Sequence, residues 1–390
     1  LFLVLSIPDW PQFRGPTGQG VSDETGLPLT WSENKNVRWK IAIPGKGWSS
    51  PVVQGDRIWL TTATEEGKSL RAISIDRNSG AILQNVEVFR LKSAKSTNPK
   101  NSFASPTPII DGDRIYVHFG AFGTACITQS GEIVWKTKLE YDNGQHGTGG
   151  SPALYDDVLI ISCDGNEAQF VVALDKLTGK VRWKKSRQGY QAYSTPLVVK
   201  LPGGDQVISP GAFRAIAYDP RNGKELWHVT YGEGFSNVPR PVYGDGLVFI
   251  CTGFQQASLL AVTPDGNGDV TKSKVRWRLD RGVPLTPSPL LVGNELYLVT
   301  DNGIVTCLDA KTGKEHWRVR IGGNHSASPI YADGRIYFLS EEGESVVLAP
   351  GQQLKHLATN QLDGRTLASM AVSGGSIFIR SETHLYRISN

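Results

Sequence analysis

The sequence predicts an all-β fold: an eight-bladed β-propeller of four-stranded antiparallel blades. Three observations predict it. A strand–turn–strand figure recurs, clearest as VVALDKLTGKVRWKK (171–185), AIAYDPRNGKELWHV (215–229) and GIVTCLDAKTGKEHWRV (303–319). A second figure, small polar residues with a proline followed by two apolar runs around a Gly/Asp turn, occurs eight times. Residues 36–45 supply the one strand that the final repeat lacks. No long helical pattern with matching caps competes with this reading. A unit that cannot bury its own faces must stack on copies of itself.

Taken in order, residues 1–7 (LFLVLSI) are too short to span a bilayer. They read as the tail of a secretory apolar segment or a trimmed anchor, the alternative being a strand or an apolar plug. Residues 8–35 are rich in Gly, Pro and Trp and lack a strand-length apolar run, so 1–35 is expected to be an irregular lead-in to a single propeller domain over 36–390. NVRWKIAIPG (36–45) shares VRWK with 181–184 and nearly with VRWR at 275–278, where it opens a fourth strand.

First strands follow at 49, 104, 150, 194, 238, 286, 326 and 367. Each carries its proline where a strand starts and a missing N–H breaks no ladder. In the last copy Met370 replaces it. The chain stops at THLYRISN (383–390), a third strand, so 36–45 is expected to complete blade 8 and close the ring.

In the outer hairpin, Asp309 can accept hydrogen bonds from its own turn, and Gly313 supplies the positive φ. Trp317 offers a flat apolar group to the flank of a neighbouring sheet. Blade 1 has Gln84 in place of tryptophan, blade 2 keeps Gly131 and Trp135, blade 5 has a long turn (263–277), and blade 7 has neither Asp nor Trp.

Composition sets the class. The 390 residues are 39% hydrophobic, which excludes a disordered chain. A net charge of +4 without a basic run does not point to nucleic acid. Cys126, Cys163, Cys251 and Cys307 sit in apolar strand patterns and read as buried free thiols, with a Cys251–Cys307 bridge as the alternative.

Repeats ending in A/L-x-D-x-x-T/N-G-K-x-x-W resemble the tryptophan-docked blades of the pyrroloquinoline-quinone (PQQ) propeller superfamily. That superfamily includes quinoprotein alcohol and sugar dehydrogenases and cofactor-free propellers, among them the outer-membrane β-barrel assembly lipoprotein. The stretches DWPQFRGPTGQGVS, WSENKNVRWKIAIPGKGWSSPVV and KNSFASPTPIIDGDRIYVHFG are similar to secreted PQQ-like repeat proteins of planctomycete-type bacteria. The resemblance implies a periplasmic or secreted protein of the bacterial envelope. It fixes fold better than function.

Loops joining one blade to the next surround the channel mouth of a propeller. Here they carry Lys46, Trp48, Lys100, Asn101, Phe103, His146, Tyr190, Tyr193, Phe235, Asn237, Arg240, Arg281, His325 and Arg365. Of these, Lys46, Trp48, Asn101, His146, Tyr190, Tyr193, Arg240, His325 and Arg365 are the candidate ligand-binding residues. Asp142, Glu233 and Asp363 are the carboxylates of the same loops, whereas Glu65, Glu66, Asp164, Glu167, Asp301, Glu341, Glu342, Glu344 and Glu382 lie further from the axis. A basic, aromatic centre with an acidic rim is expected, suited to an acidic protein segment or an anionic or planar ligand. The competing expectation is a solvated mouth whose charges select nothing.

A quinoprotein site needs calcium on oxygen ligands and a carboxylate base. The scattered acids make a poor cage, and the family's calcium set maps onto no positions here. No cofactor and no metal site are therefore expected; the alternative is PQQ with calcium, since PQQ is a polyacid that a basic pit could hold. Asp265, Asn267 and Asp269 imitate half an EF-hand loop but read as a turn, because Arg276 stands where the glutamate belongs. His118, His228, His316, His356 and His384 are dispersed and read as strand residues.

The leading expectation is a non-catalytic monomeric scaffold that binds a partner through its top face, with no transmembrane span. A PQQ-dependent alcohol or sugar dehydrogenase is the alternative. A carbohydrate-binding propeller, stacking sugars on Trp48, Tyr190 and Tyr193, is the second alternative.

Overall fold

A computed structural model describes residues 9–93 and 97–390; the expectation for residues 1–7 falls outside them. The strands form eight sheets in a ring, each built as four antiparallel strands in consecutive order. Blade 8 is the exception in connectivity. Its outer strand Val37–Ala42 pairs with His384–Ile388, with Trp39 opposite Arg387 and Lys40 opposite Tyr386. The ring thus closes as the repeat count requires. Glu33 locks the seam by accepting from Lys40 Nζ at 2.8 Å, the Asp363 amide at 2.8 Å and the Tyr386 hydroxyl at 2.9 Å.

Burial follows strand position. Inner strands such as Leu247–Cys251 are buried throughout, because both sheet faces pack on neighbouring blades. Outer strands alternate, as in Val37–Ala42, with one face toward solvent. Each apolar cluster straddles adjacent blades: Val52, Trp59 and Ala72 of blade 1 pack with Ile115, Val117 and Ile127 of blade 2.

Tryptophan docking explains the turn glycines. Trp39, Trp135, Trp183, Trp277 and Trp317 donate their indole N–H to the carbonyls of Arg77, Lys176, Pro220, Ala310 and Gly351 on the next blade, at 2.8–3.0 Å. A Cβ on Gly179, Gly223 or Gly313 would lie 2.5–2.7 Å from the docked ring. These glycines therefore serve two demands, positive φ and close approach. Asp309 accepts from the Thr312 amide and hydroxyl, which hold its carboxyl below the ordinary value despite some desolvation.

Trp227 behaves differently. Its indole bonds Gln206 Oε1 at 2.8 Å, and the ring is wholly buried. The long turn of blade 5 lies over it, and Gly268–Asp269 adds a short parallel strand to blade 4 at Trp227–His228. The same turn carries the half EF-hand pattern, and Asp265 there pairs with Lys274 at 3.0 Å. All four cysteines are buried and free.

Residues 9–31 cross the bottom of the ring. Trp10 pairs with Val53 of blade 1, the Pro11 carbonyl takes the Ile110 amide of blade 2, Gln19 takes the Tyr243 amide of blade 5, and Val21 pairs with Tyr331 of blade 7. Glu24 accepts from the Gly374 and Gly375 amides of blade 8. The lead-in is thus a plug across the channel.

Candidate functional site

The residue before each first-strand proline builds the site. Ser50, Thr107, Ser151, Thr195, Ser288, Ser328 and Ser369 occupy this position in seven blades; Met370 stands in for the proline in the eighth blade. In blade 5 the residue is Arg240. At seven of the eight junctions, the backbone N–H here donates to the hydroxyl of the next blade, at 2.9–3.1 Å. The hydroxyls thus form a ring around the axis, interrupted only between Thr195 and Arg240. There Ser194 Oγ donates to the Pro239 carbonyl instead, at 2.8 Å.

Above the ring lies a pit of about 690 Å³. All seven hydroxyl residues line it, and Phe13 of the plug lines it from below. Its wall is Trp48, Tyr193, Phe235, Phe254, Leu285 and Leu367, with Asn98, Lys100, Asn101, His146 and Gln191 as polar members. Phe235 meets Tyr190 and Phe254 edge-on at centroid distances of 5.4 and 5.6 Å. Phe254 is 52% exposed on this rim. Trp48 is buried, and its Nε1 has no partner.

The candidates separate into groups. Trp48, Asn101, His146 and Tyr193 are brought together in the lining, along with Lys100 and Phe235. Asn101 also clamps the loop of the next blade, donating to the His146 and Thr148 carbonyls at 2.8 and 2.9 Å. His146 packs edge-on against Tyr193 at 5.9 Å. Tyr193 donates to Gln191 at 2.8 Å, and burial pushes its hydroxyl up to about 12.

The remaining candidates stand elsewhere. Lys46 and Phe103 line a separate cleft beside blade 1, where Lys46 reaches Glu382 at 3.8 Å. Tyr190 sits outside the lining, behind Phe235. Arg240 is buried and bonds the Phe13 carbonyl at 2.8 Å, because the plug lies against it. His325 is buried with Nε2 against the Gly322 carbonyl at 3.0 Å, and desolvation holds its pKa below the ordinary value. Asn237 is wholly buried and bonds Tyr231 at 2.9 Å. Arg281 is exposed and outside the lining.

The expected basic centre is corrected by pairing. Arg365 lies over Trp48, 6.0 Å from its ring, and bonds Glu341 at 3.4 Å. Lys100 bonds the same carboxylate at 2.9 Å from the other side of blade 8, and Ser326 adds 2.6 Å. Burial opposes ionisation of Glu341, but these three donors outweigh it and hold the pKa below the ordinary value.

Two acids of the expected rim are paired as well. Asp164 is sealed in a bidentate pair with Arg187, and Glu65 pairs with Arg90 at 2.6 Å. Asp142, in the loop before blade 3, accepts from the Gly144 amide of that loop and from the Asn166 and Glu167 amides of the loop between the second and third strands of the blade. The pit is therefore apolar and hydroxylic rather than basic. Residue type showed where charges stand along the chain; pairing is set by distances that only folding creates.

The hydroxyl ring and Phe13 were not among the candidates. A signal for the ring existed: the residue before the proline is Ser or Thr in six repeats and Arg in one, with Ser369 before Met370. For Phe13 there was none, because its place depends on the path of the plug.

The fit to a calcium-bound quinone is poor. Asp301 is the one carboxylate among the described lining residues, and it holds the Leu285 amide at 2.7 Å. Among the described residues no three His, Cys, Asp or Glu side chains come together as a metal-binding set.

Fold, docked tryptophans and closed ring define an eight-bladed propeller of the PQQ-like class. A family model described as outer membrane protein assembly factor BamB matches residues 71–272 and 268–389, and the chain belongs to that family. It is 28% identical over 162 residues to the outer membrane protein assembly factor BamB of Alkalilimnicola ehrlichii, covering 40% of each chain. The chain spans 40% or less of the length of the curated relatives it matches.

Among solved structures, BamB from Moraxella catarrhalis aligns with a TM-score of 0.64 at 12% identity, over 90% of this chain and 99% of that one. A europium-containing methanol dehydrogenase aligns at 0.70 and 12% identity, over 97% and 90%. At such identities the likeness is one of fold.

Proposed function

We propose that this chain is a non-catalytic scaffold of the bacterial envelope that holds a segment of a partner protein on its top face. The observation that carries this reading is the pit: an aromatic wall, a hydroxyl floor, and a bottom closed by Phe13. Such a concavity suits one or two apolar side chains of an extended segment, with the hydroxyl protons of the floor left to meet its backbone. Mouth charges already paired with one another favour an apolar anchor over an acidic one. The family's description as an assembly factor supports a protein partner. Among the described residues no helix is long and apolar enough to cross a membrane.

A photo-crosslinking residue at Phe254, on the pit rim, is expected to capture a discrete partner in envelope extracts. The same residue at Ile82, exposed on the outer strand of blade 1, should not. Equal capture at both positions, or none at Phe254, would remove the reading. The dehydrogenase alternative has its own arm. PQQ with calcium is added to the protein and dye reduction is followed with alcohols and sugars; turnover there would replace the scaffold by an enzyme.

A further inference from the structure

Two arginines lie in the channel beneath the pit without a carboxylate to balance them. Arg240 stands at the one ring position that lacks a hydroxyl, and Arg14 follows Phe13 in the plug; they are 2% and 1% exposed. Arg240 Nη1 donates to the Phe13 carbonyl at 2.8 Å, and Arg14 Nη2 reaches the Pro329 carbonyl at 3.4 Å. The Nε atoms of both, and Nη1 of Arg14, are buried without a partner. Glu24, the buried acid of the plug, is committed to the Gly374 and Gly375 amides.

The plug is shaped around these guanidiniums. Gly18, at φ +71°, leaves a gap where a Cβ would stand 2.2 Å from Arg240 Nη1. Gly20, at φ +83°, does the same 2.7 Å from Arg14 Nη2. Burial lowers both pKa values to about 9, with Arg240 adding repulsion on Arg14, so both stay charged at neutral pH. Unpaired charge is strongly disfavoured in such a site. Guanidinium forks with free N–H groups are matched to small anions, above all to oxyanions.

We propose that Arg14 and Arg240 together hold a small inorganic anion in the channel, and that this anion seats the plug on the ring. It would give the unpaired N–H groups an acceptor. The site is separate from the pit above and does not depend on what the pit binds.

The test is thermal unfolding of the full chain in a zwitterionic buffer at fixed ionic strength. Chloride, sulfate and phosphate are each titrated against bulky gluconate. At least one small anion is expected to raise Tm saturably, as a ligand of the native state does. Arg240→Ser, which restores the hydroxyl found in the other seven blades, should lose the saturable part and keep any shallow salt effect.

No saturable rise in the wild type, or an equal one in Arg240→Ser, would overturn the proposal. Should that variant not fold, crystals of the wild type grown with bromide, sulfate or phosphate decide. Density within hydrogen-bond reach of both guanidiniums supports the site. Water alone at both overturns it.

Discussion

Gly313 and Gly334 form a matched pair that isolates tryptophan docking. Their φ angles are +71° and +70°. A Cβ on Gly313 would stand 2.7 Å from Trp277 Cδ2, whereas one on Gly334 meets nothing within 4 Å. Placing an L-residue in the left-handed region costs about 1–2 kcal/mol. Overpacking against a ring that cannot retreat adds roughly 1–3 kcal/mol. The Trp277 ring is held there by its N–H bond to Ala310 at 3.0 Å and by its contact with Phe249. Gly334→Ala should therefore lose about 1–2 kcal/mol and Gly313→Ala about 2–5 kcal/mol.

Urea unfolding followed by circular dichroism and by fluorescence measures both, with coincident curves as the check on two-state behaviour. In a Trp277→Ala background the excess at residue 313 should vanish, because the added methyl then has room. Equal losses at both glycines, or an excess that survives removal of the indole, would refute the docking argument.

Two further perturbations probe the charge network. Arg187 and Asp164 are both buried. Burial lowers the Arg187 pKa but the carboxylate raises it further, while burial raises the Asp164 pKa against the pull of Arg187; the bidentate contact favours the ionised pair. Asp164→Asn should lose about 3–5 kcal/mol in urea unfolding, since it leaves a buried charge uncompensated. Glu315→Gln, in the exposed pair with Arg318, should change little. Comparable losses would mean that burial of the pair is not what matters.

Glu341 bears on pH. Its folded pKa lies below the ordinary 4.5, so its stabilisation is complete above pH 4.5 and disappears as pH falls through the folded value. Glu341→Gln should be less stable than wild type at neutral pH and converge with it in acid. A stability gap unchanged through acid would contradict the assigned pairing.

Much of the architecture was legible because it is written in local periodicity. Asp309, Gly313 and Trp317 recur at fixed spacing, and a turn needs its aspartate and glycine whatever surrounds it. Residues 36–45 could be assigned to blade 8 because VRWK marks a fourth strand wherever it stands. The site was legible in part: Trp48, Asn101, His146 and Tyr193 follow from loop position alone. Arg240 and His325 share that loop position, yet their side chains are buried.

The sequence by itself determined the number of blades, their order and the seam at which the ring closes. These follow from repeated short-range patterns that each repeat must satisfy. Tertiary structure alone decided that residues 9–31 plug the channel, that Lys100 and Arg365 converge on Glu341, and that seven hydroxyls line one pit together with Phe13. Those contacts join residues tens to hundreds of positions apart. Their partners are chosen by the geometry of the closed ring, which no local pattern encodes.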